Sequence, residues 1–133
     1  MGRAVSAVLL DTHAWVWSFS ADHLMSPAAR AEIAAADAVH VSPISFFEIG
    51  QKVRIGKWPE MAGLVHELPA ILEGQGGLTA PFTPEIALRA SLWNWPHRDP
   101  FDRLIATTAI VTGMTLLSRD AVFAGQPDLR VVW

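Results

Sequence analysis

Four acidic side chains in this 133-residue sequence are placed where they could act together on a divalent cation. Asp11 and Asp120 each follow a short apolar run, whereas Glu48 and Asp102 lie in segments with helical spacing. Carboxylates that share a cleft repel each other, and a hard cation that takes oxygen ligands, such as Mg²⁺ or Mn²⁺, relieves that repulsion. A cation held in this way lowers the pKa of a bound water and neutralises charge at phosphorus. The four acids therefore predict metal-assisted hydrolysis of a phosphodiester.

Each of these acids also has a simpler structural interpretation when it is taken alone. Glu48 precedes Lys52 by four residues, which is the spacing of a weak surface ion pair on a helix. The helix dipole favours an acid such as Asp102 in a first turn, and Asp120 could cap the turn that follows a strand. Asp99 directly precedes a proline, which predicts a helix N-cap. A metal site requires that the acids meet in the folded chain, and their spacing alone leaves this open.

Basic and histidine side chains near the acids allow further roles. Four basic residues are candidates for contacts with phosphate groups: Arg103, Arg119, Lys52 and Arg54. They could also pair with acids of a bound protein or be solvated at the surface. His13 and His97 could act as the general acid and base of a metal-free cleavage of the phosphodiester, because histidine titrates near neutral pH. Since the carboxylates already supply a sufficient site, we interpret both histidines as structural.

Alternating strands and helices are predicted to position these residues. The order read from the sequence is β-α-α-β-α-α-β-α-α-β-β, which is typical of a parallel sheet covered by helices on both faces. Helix starts are indicated where a capping side chain precedes a proline, at positions 26, 42, 83 and 99. Small residues at Ala106, Ala109 and Gly113 indicate a helix that lies close to the sheet. The predicted strands cover residues 5–10, 38–41, 77–80, 115–118 and 129–133.

Composition narrows the class of protein and the kind of site. The length predicts a single domain over residues 1–133, and the absence of cysteine excludes a disulfide framework and a thiolate metal site. A net charge of −3 does not indicate a general nucleic-acid binder, and no apolar run is long enough to span a membrane. We therefore expect a cytoplasmic protein. The first six residues match a myristoylation pattern, but we give it little weight because a strand is predicted to begin within it.

Four short motifs carry a resemblance to a known family. The segments LLDTHAW at 9–15, SFFEIG at 45–50, RDPFDRLIAT at 98–107 and LSRDAVF at 117–123 resemble the PIN-domain family. More narrowly, they resemble the VapC ribonuclease toxins of bacterial type II toxin–antitoxin pairs. The resemblance implies a three-layer α/β/α sandwich with a central, mostly parallel sheet of four to five strands.

The resemblance also implies an activity, partners and site residues. The implied activity is a Mg²⁺-dependent or Mn²⁺-dependent endoribonuclease that acts on an RNA substrate. The implied partners are a second copy in a homodimer and a small VapB-type antitoxin, which also binds operator DNA. By position, Asp11, Glu48, Asp102 and Asp120 match the family's acidic quartet, and the first three are the expected metal ligands. Asp120 would act on the metal directly or through water, and Ser118 would support the site.

The expected reaction is in-line attack of water that leaves 5′-phosphate and 3′-hydroxyl ends. Two alternatives stay open. An aspartyl-phosphate phosphatase of the haloacid-dehalogenase type also has a nucleophilic Asp after its first strand, but it requires a second Asp where this sequence has His13. A non-catalytic PIN-fold protein that binds RNA or a partner is the other alternative. Three tryptophans, Trp58, Trp93 and Trp95, could contact an antitoxin helix, although core or dimer contacts are the simpler expectation.

Overall fold

In the part of the chain that the structure describes, five parallel strands form the centre of the molecule. The structure is a computed structural model that describes residues 6–133. Its strand order is β3-β2-β1-β4-β5, and every neighbouring pair is parallel. The predicted parallel sheet is therefore confirmed. The strands are β1 (Ala7–Leu10), β2 (Ala38–Val41), β3 (Leu78–Thr79), β4 (Thr115–Leu117) and β5 (Val131–Val132).

Over residues 6–133, six α-helices connect the strands in the predicted order. They are α1 (Thr12–Ser20), α2 (Pro27–Ala35), α3 (Pro43–Arg54), α4 (Leu68–Gly74), α5 (Pro84–Leu92) and α6 (Pro100–Thr112). Short 3₁₀ helices lie at Asp22–Leu24, Pro59–Met61, Val65–Glu67 and Ala121–Phe123. Within residues 6–133, none of the helices has the length and apolar character needed to cross a membrane.

The four predicted capping residues begin helices as expected. The side chains of Ser26, Ser42, Thr83 and Asp99 each accept a hydrogen bond from a backbone N–H in the first turn. In each case a proline occupies the first turn, where its missing N–H costs no hydrogen bond. These local signals fix where α2, α3, α5 and α6 start.

Two hydrophobic clusters cover the two faces of the sheet. Val8 and Leu10 of β1 point into one cluster, together with buried side chains of α1, α2, α3 and α4. Leu9, between them, points into the other cluster with Ile105 and Ala106 of α6. Successive residues of a strand face opposite sides, so a strand without alternation in its sequence is buried on both faces. The molecule is thus the predicted three-layer α/β/α sandwich.

The order in which the chain adds strands to the sheet reverses at β1. The chain adds β2 and β3 on one side of β1 and then returns to place β4 on the other side. The last paired residues of these two central strands are Leu10 and Leu117. In parallel α/β sheets, such a switch point opens a crevice at the carboxyl ends of the strands. Asp11 and Ser118, the residues that follow β1 and β4, therefore flank the crevice.

Some sequence-based boundaries differ from the structure. The two outer strands pair over only two residues each, which is shorter than the predicted 77–80 and 129–133. Gly113 is not part of a packing stripe: it ends α6 with a φ of 72°, a left-handed conformation that glycine adopts without steric cost. The predicted strand start at Val5 and the myristoylation pattern that begins at Met1 fall outside the described residues.

Candidate active site

Asp11 is held at the centre of the crevice by three hydrogen bonds. Its backbone N–H donates to Leu117 O at 3.1 Å, which joins the end of β1 to the end of β4. Its Oδ1 accepts from the N–H of Ala14 at 2.8 Å, so that Asp11 caps α1. The hydroxyl of Ser118 donates to Oδ2 at 2.5 Å. Asp11 is only 9% exposed.

Glu48 reaches the same region from α3. This residue is only 5% exposed, and the hydroxyl of Thr12 donates to its Oε1 at 2.7 Å. Because the Thr12 proton is used in this bond, the neighbouring Ser45 hydroxyl donates to Thr12 Oγ1 at 2.9 Å. Lys52 Nζ lies 2.6 Å from Oε2. The Glu48–Lys52 pair therefore exists, but it is not the exposed surface pair that the simpler interpretation expected.

Asp102 lies in the first turn of α6 and is held by His97. The Nε2–H of His97 donates to Asp102 Oδ2 at 2.7 Å, from the loop that joins α5 to α6. Asp99 caps α6, accepting from the N–H groups of Phe101 and Asp102, as the sequence predicted. His97 thus has a direct contact with one of the four acids, which the sequence did not indicate.

Arg103 is not among the residues that the structure brings to this crevice. Its guanidinium group donates to main-chain carbonyl oxygens of Ala90, Trp93, Trp95 and His97. These contacts hold the loop that carries His97. These contacts give Arg103 a structural role in place of the expected contact with phosphate.

All four predicted acids line one cleft. The cleft has a volume of about 500 Å³. Its lining includes Asp11, Glu48, Asp102 and Asp120, together with Asp99, Thr12, His13, Trp17, Lys52 and Arg119. The carboxylate of Asp120 also accepts from the N–H of Val122, which is the capping role considered above. Residues separated by more than a hundred positions in sequence therefore meet at the switch point of the sheet.

Burial and neighbouring charges disfavour the ionised acids. Burial, together with the charges of Asp120 and Glu48, raises the pKa of Asp11 to about 6, against the hydrogen bonds from Ser118 and Ala14. Burial also raises the pKa of Asp102 to about 6, with a further contribution from the nearby charge of Asp99 and against the hydrogen bond from His97. Such carboxylates gain from a positive charge between them.

The donor set fits a hard divalent cation that keeps part of its water shell. Carboxylate oxygens of this kind are the ligands of Mg²⁺ and Mn²⁺, and Mg²⁺ is often held by only one or two carboxylates with several waters. Among residues 6–133, no three His, Asp or Glu side chains stand close enough to form a compact ligand cluster. Asp11, Glu48 and Asp102 each bond instead to a neighbouring donor. A cation would therefore compete with Lys52 and His97.

Aromatic and basic side chains form another part of the cleft. Arg119 lines it, and its Cζ lies 5.9 Å from the centre of the Trp17 ring. Arg54 is exposed at the end of α3 and does not line the cleft.

Trp93 and Trp95 pack together, with ring centres 4.5 Å apart, against the cluster that contains Leu9. For these two tryptophans the simpler expectation of core packing agrees with the structure.

Sequence reasoning named Ser118 beside Asp11 but missed the residues that orient Glu48 and Asp102. Thr12 and Ser45 could have been noticed, since Thr12 follows Asp11 and Ser45 precedes Glu48 by one helical turn. Nothing in the sequence pattern indicated that His97 would reach Asp102, because the loop before α6 has no periodicity.

The fold and the cleft define an α/β/α protein with a carboxylate site at its switch point. A family model described as the PIN domain matches residues 8–128. Ribonuclease VapC22 of Mycobacterium tuberculosis (strain ATCC 25618 / H37Rv) is 32% identical over 120 residues, covering 87% of this chain and 88% of that protein. The chain belongs to the PIN-domain family, as the four motifs indicated. This membership decides against the phosphatase alternative.

Two solved structures have a similar fold. One is VapBC2 from Rickettsia felis bound to a DNA fragment from its promoter, with a TM-score of 0.68 and 20% identity over 94% of this chain and 96% of that chain. The other is FitAB bound to an IR36 DNA fragment, with a TM-score of 0.61 and 20% identity over 93% of this chain and 92% of that chain. At this level of identity the similarity concerns the fold.

Proposed function

We propose that this protein is a metal-dependent endoribonuclease and the toxin of a VapBC-type toxin–antitoxin pair. The observation that carries the proposal is the meeting of Asp11, Glu48, Asp102 and Asp120 in one cleft at the switch point. The similarity to Ribonuclease VapC22 supports RNA as the substrate. It is also the reason to choose this function over a PIN-fold protein that only binds RNA or a partner.

The four acids and Ser118 would have different roles in the reaction. Asp11, Glu48 and Asp102 would hold Mg²⁺ or Mn²⁺, and Asp120 would act on it directly or through water. When bound, the cation supplies an activated water and neutralises charge on the phosphate. Ser118 keeps Asp11 oriented by its hydrogen bond to Oδ2. The expected products carry 5′-phosphate and 3′-hydroxyl ends.

The proposed partners follow from the relatives. VapBC2 and FitAB are named as complexes bound to DNA. We propose that this chain likewise binds a small VapB-type antitoxin, and that operator DNA is reached through that antitoxin. We further propose a homodimer, in which two clefts are available to RNA and to the inhibitor.

Cleavage of total RNA tests the proposed reaction. The purified protein should cut RNA with added Mg²⁺ or Mn²⁺, lose the activity in EDTA, and regain it when the metal is restored. Asp11→Asn should abolish cleavage, whereas Asp128→Asn, which changes an exposed acid outside the cleft, should not. Products with 2′,3′-cyclic phosphate ends, or equal activity in EDTA, would contradict the metal-dependent reaction. RNA binding without cleavage would favour the non-catalytic alternative.

A further inference from the structure

One wall of the cleft is a continuous row of aromatic rings. His13 and Trp17 line the cleft, and their ring centres are 5.8 Å apart. Two further rings pack against this pair without lining the cleft. Trp58 stacks on His13 at 4.8 Å with an angle of 23° between the ring planes, and Trp133 lies 5.7 Å from Trp17. His13 is an exposed residue, and its ring therefore stacks on a tryptophan while it lines the cleft.

Two cations lie along the same row. Arg119 is exposed and lies over the ring of Trp17. Lys52 Nζ lies 5.7 Å from the ring centre of Trp58 and also pairs with Glu48. Flat rings beside cations are what proteins use to hold an unpaired nucleotide, since the base stacks on the ring while a cation contacts the phosphate.

The position of the row relative to the acids sets what it can bind. His13 is two residues from Asp11, and Lys52 bonds to Glu48. A nucleotide whose phosphate reaches the acids therefore brings its own base, or that of its neighbour, against this wall. A base inside a duplex already stacks on both faces, so it must leave the helix before it can reach the rings.

We propose that His13 and Trp17 form the base-stacking wall of the cleft and hold an unpaired base beside the phosphate that is cut, while Arg119 and Lys52 contact phosphates. This inference rests on the proposed function and names the residues that would hold the base next to the phosphate. His13 acts through the face of its ring and positions the substrate, so a ring without exchangeable protons can replace it. This role differs from the acid–base and purely structural roles considered from the sequence.

Binding measurements separate stacking from other roles of His13. The probes are short fluorescent single-stranded RNAs, their duplexes, and an oligonucleotide of equal length whose nucleotides all lack the base. Binding is measured with Mg²⁺ present in the Asp11→Asn protein, so that cleavage does not interfere. His13→Ala should weaken binding of single-stranded RNA about 5- to 30-fold and leave binding of the abasic chain unchanged. His13→Phe should restore most of the loss.

The control variant is His23→Ala, which removes an exposed histidine that does not line the cleft and should bind all probes as the parent does. Equal losses for His13→Ala and His13→Phe, equal effects on base-containing and abasic chains, or tighter binding of duplex RNA would overturn the inference. Cleavage by the protein with Asp11 intact is measured separately. If the protein with Asp11 cuts RNA but His13→Ala does not weaken RNA binding, the proposed stacking wall is wrong and the proposed nuclease function is retained. If no RNA is cut, the proposed function fails.

Discussion

Replacing Asp11 by Asn should stabilise the metal-free protein. Burial and neighbouring acids raise the pKa of Asp11 from its ordinary value near 3.8 to about 6. Since one pKa unit corresponds to about 1.4 kcal/mol, the ionised carboxylate costs about 3 kcal/mol at pH 7. Asn removes the charge and keeps the acceptor for the N–H of Ala14. Its amide can donate to Ser118 Oγ, so we expect a gain of about 1 to 3 kcal/mol.

The raised pKa of Asp11 sets the direction in which stability changes with pH. Because the folded pKa is the higher one, the folded state holds the extra proton between pH 4 and 6. The protein with Asp11 therefore loses stability as the pH rises through that window. Below pH 4 the carboxyl is neutral in both states, and the difference between Asp11 and Asn should become small. Urea denaturation in EDTA at pH 4 and pH 7 measures both values, with Asp128→Asn as an exposed control.

Added Mg²⁺ should reverse the order of stability of the Asp11 protein and Asp11→Asn. A ligand at a hundred times its Kd stabilises a folded protein by about 2.7 kcal/mol, and the variant that has lost a ligand should gain little. With saturating Mg²⁺ at pH 7, the protein with Asp11 should match or exceed Asp11→Asn. The reasoning is refuted if Asp11→Asn is less stable by 1 kcal/mol or more in EDTA at pH 7, or if the difference does not depend on pH.

Three further substitutions test other parts of the structure. Ser118→Ala removes the donor to Asp11 and should weaken metal affinity by about 10-fold, seen as a shift in the Mg²⁺ concentration that gives half-maximal cleavage. Arg103→Ala removes the contacts to four carbonyl oxygens and should lower the free energy of unfolding in urea by about 2 to 4 kcal/mol. Gly113→Ala should cost about 1 to 2 kcal/mol because its φ is positive, whereas Gly50→Ala, inside α3 with open space around it, should gain about 0.5 to 1 kcal/mol.

Each of these substitutions has a result that would contradict its prediction. Cleavage by Ser118→Ala that shows an unchanged metal requirement would mean that the hydroxyl does not support the site. The control for Arg103 is Arg54→Ala, which removes an exposed arginine and should leave the free energy of unfolding within about 0.5 kcal/mol of the parent. If Arg103→Ala also changes the free energy of unfolding by no more than this, Arg103 has no structural role. Equal effects at Gly113 and Gly50 would show that backbone conformation is not what distinguishes them.

The fold was largely predictable because its signals are local. Capping residues before prolines mark four helix starts, and apolar runs without alternation mark strands covered on both faces. The convergence of the acids followed from one general property, that parallel strands end at the same edge. Asp11 and Asp120 could be placed in this way because each follows a strand. The short outer strands were less predictable, since two paired residues leave almost no pattern.

The surroundings of the acids were not predictable in the same way. The contact of His97 with Asp102 depends on a loop whose shape is set by the contacts of Arg103, and neither has a spacing rule. The same contacts explain why Arg103, one residue from an acid, does not reach the cleft. The burial of Glu48 with Lys52 depends on how α3 packs against α1, which a charge pair in the sequence cannot reveal.

The place of β4 beside β1 has a consequence for how the protein is made. Asp11 meets Ser118 across 107 positions of sequence, so β4 is translated long after β1. A nascent chain that ends before β4 leaves one edge of β1 unpaired and has no Ser118 hydroxyl to donate to Asp11. The pocket can therefore mature only after β4 has been made, and a ribosome that stalls earlier releases a fragment without a finished site.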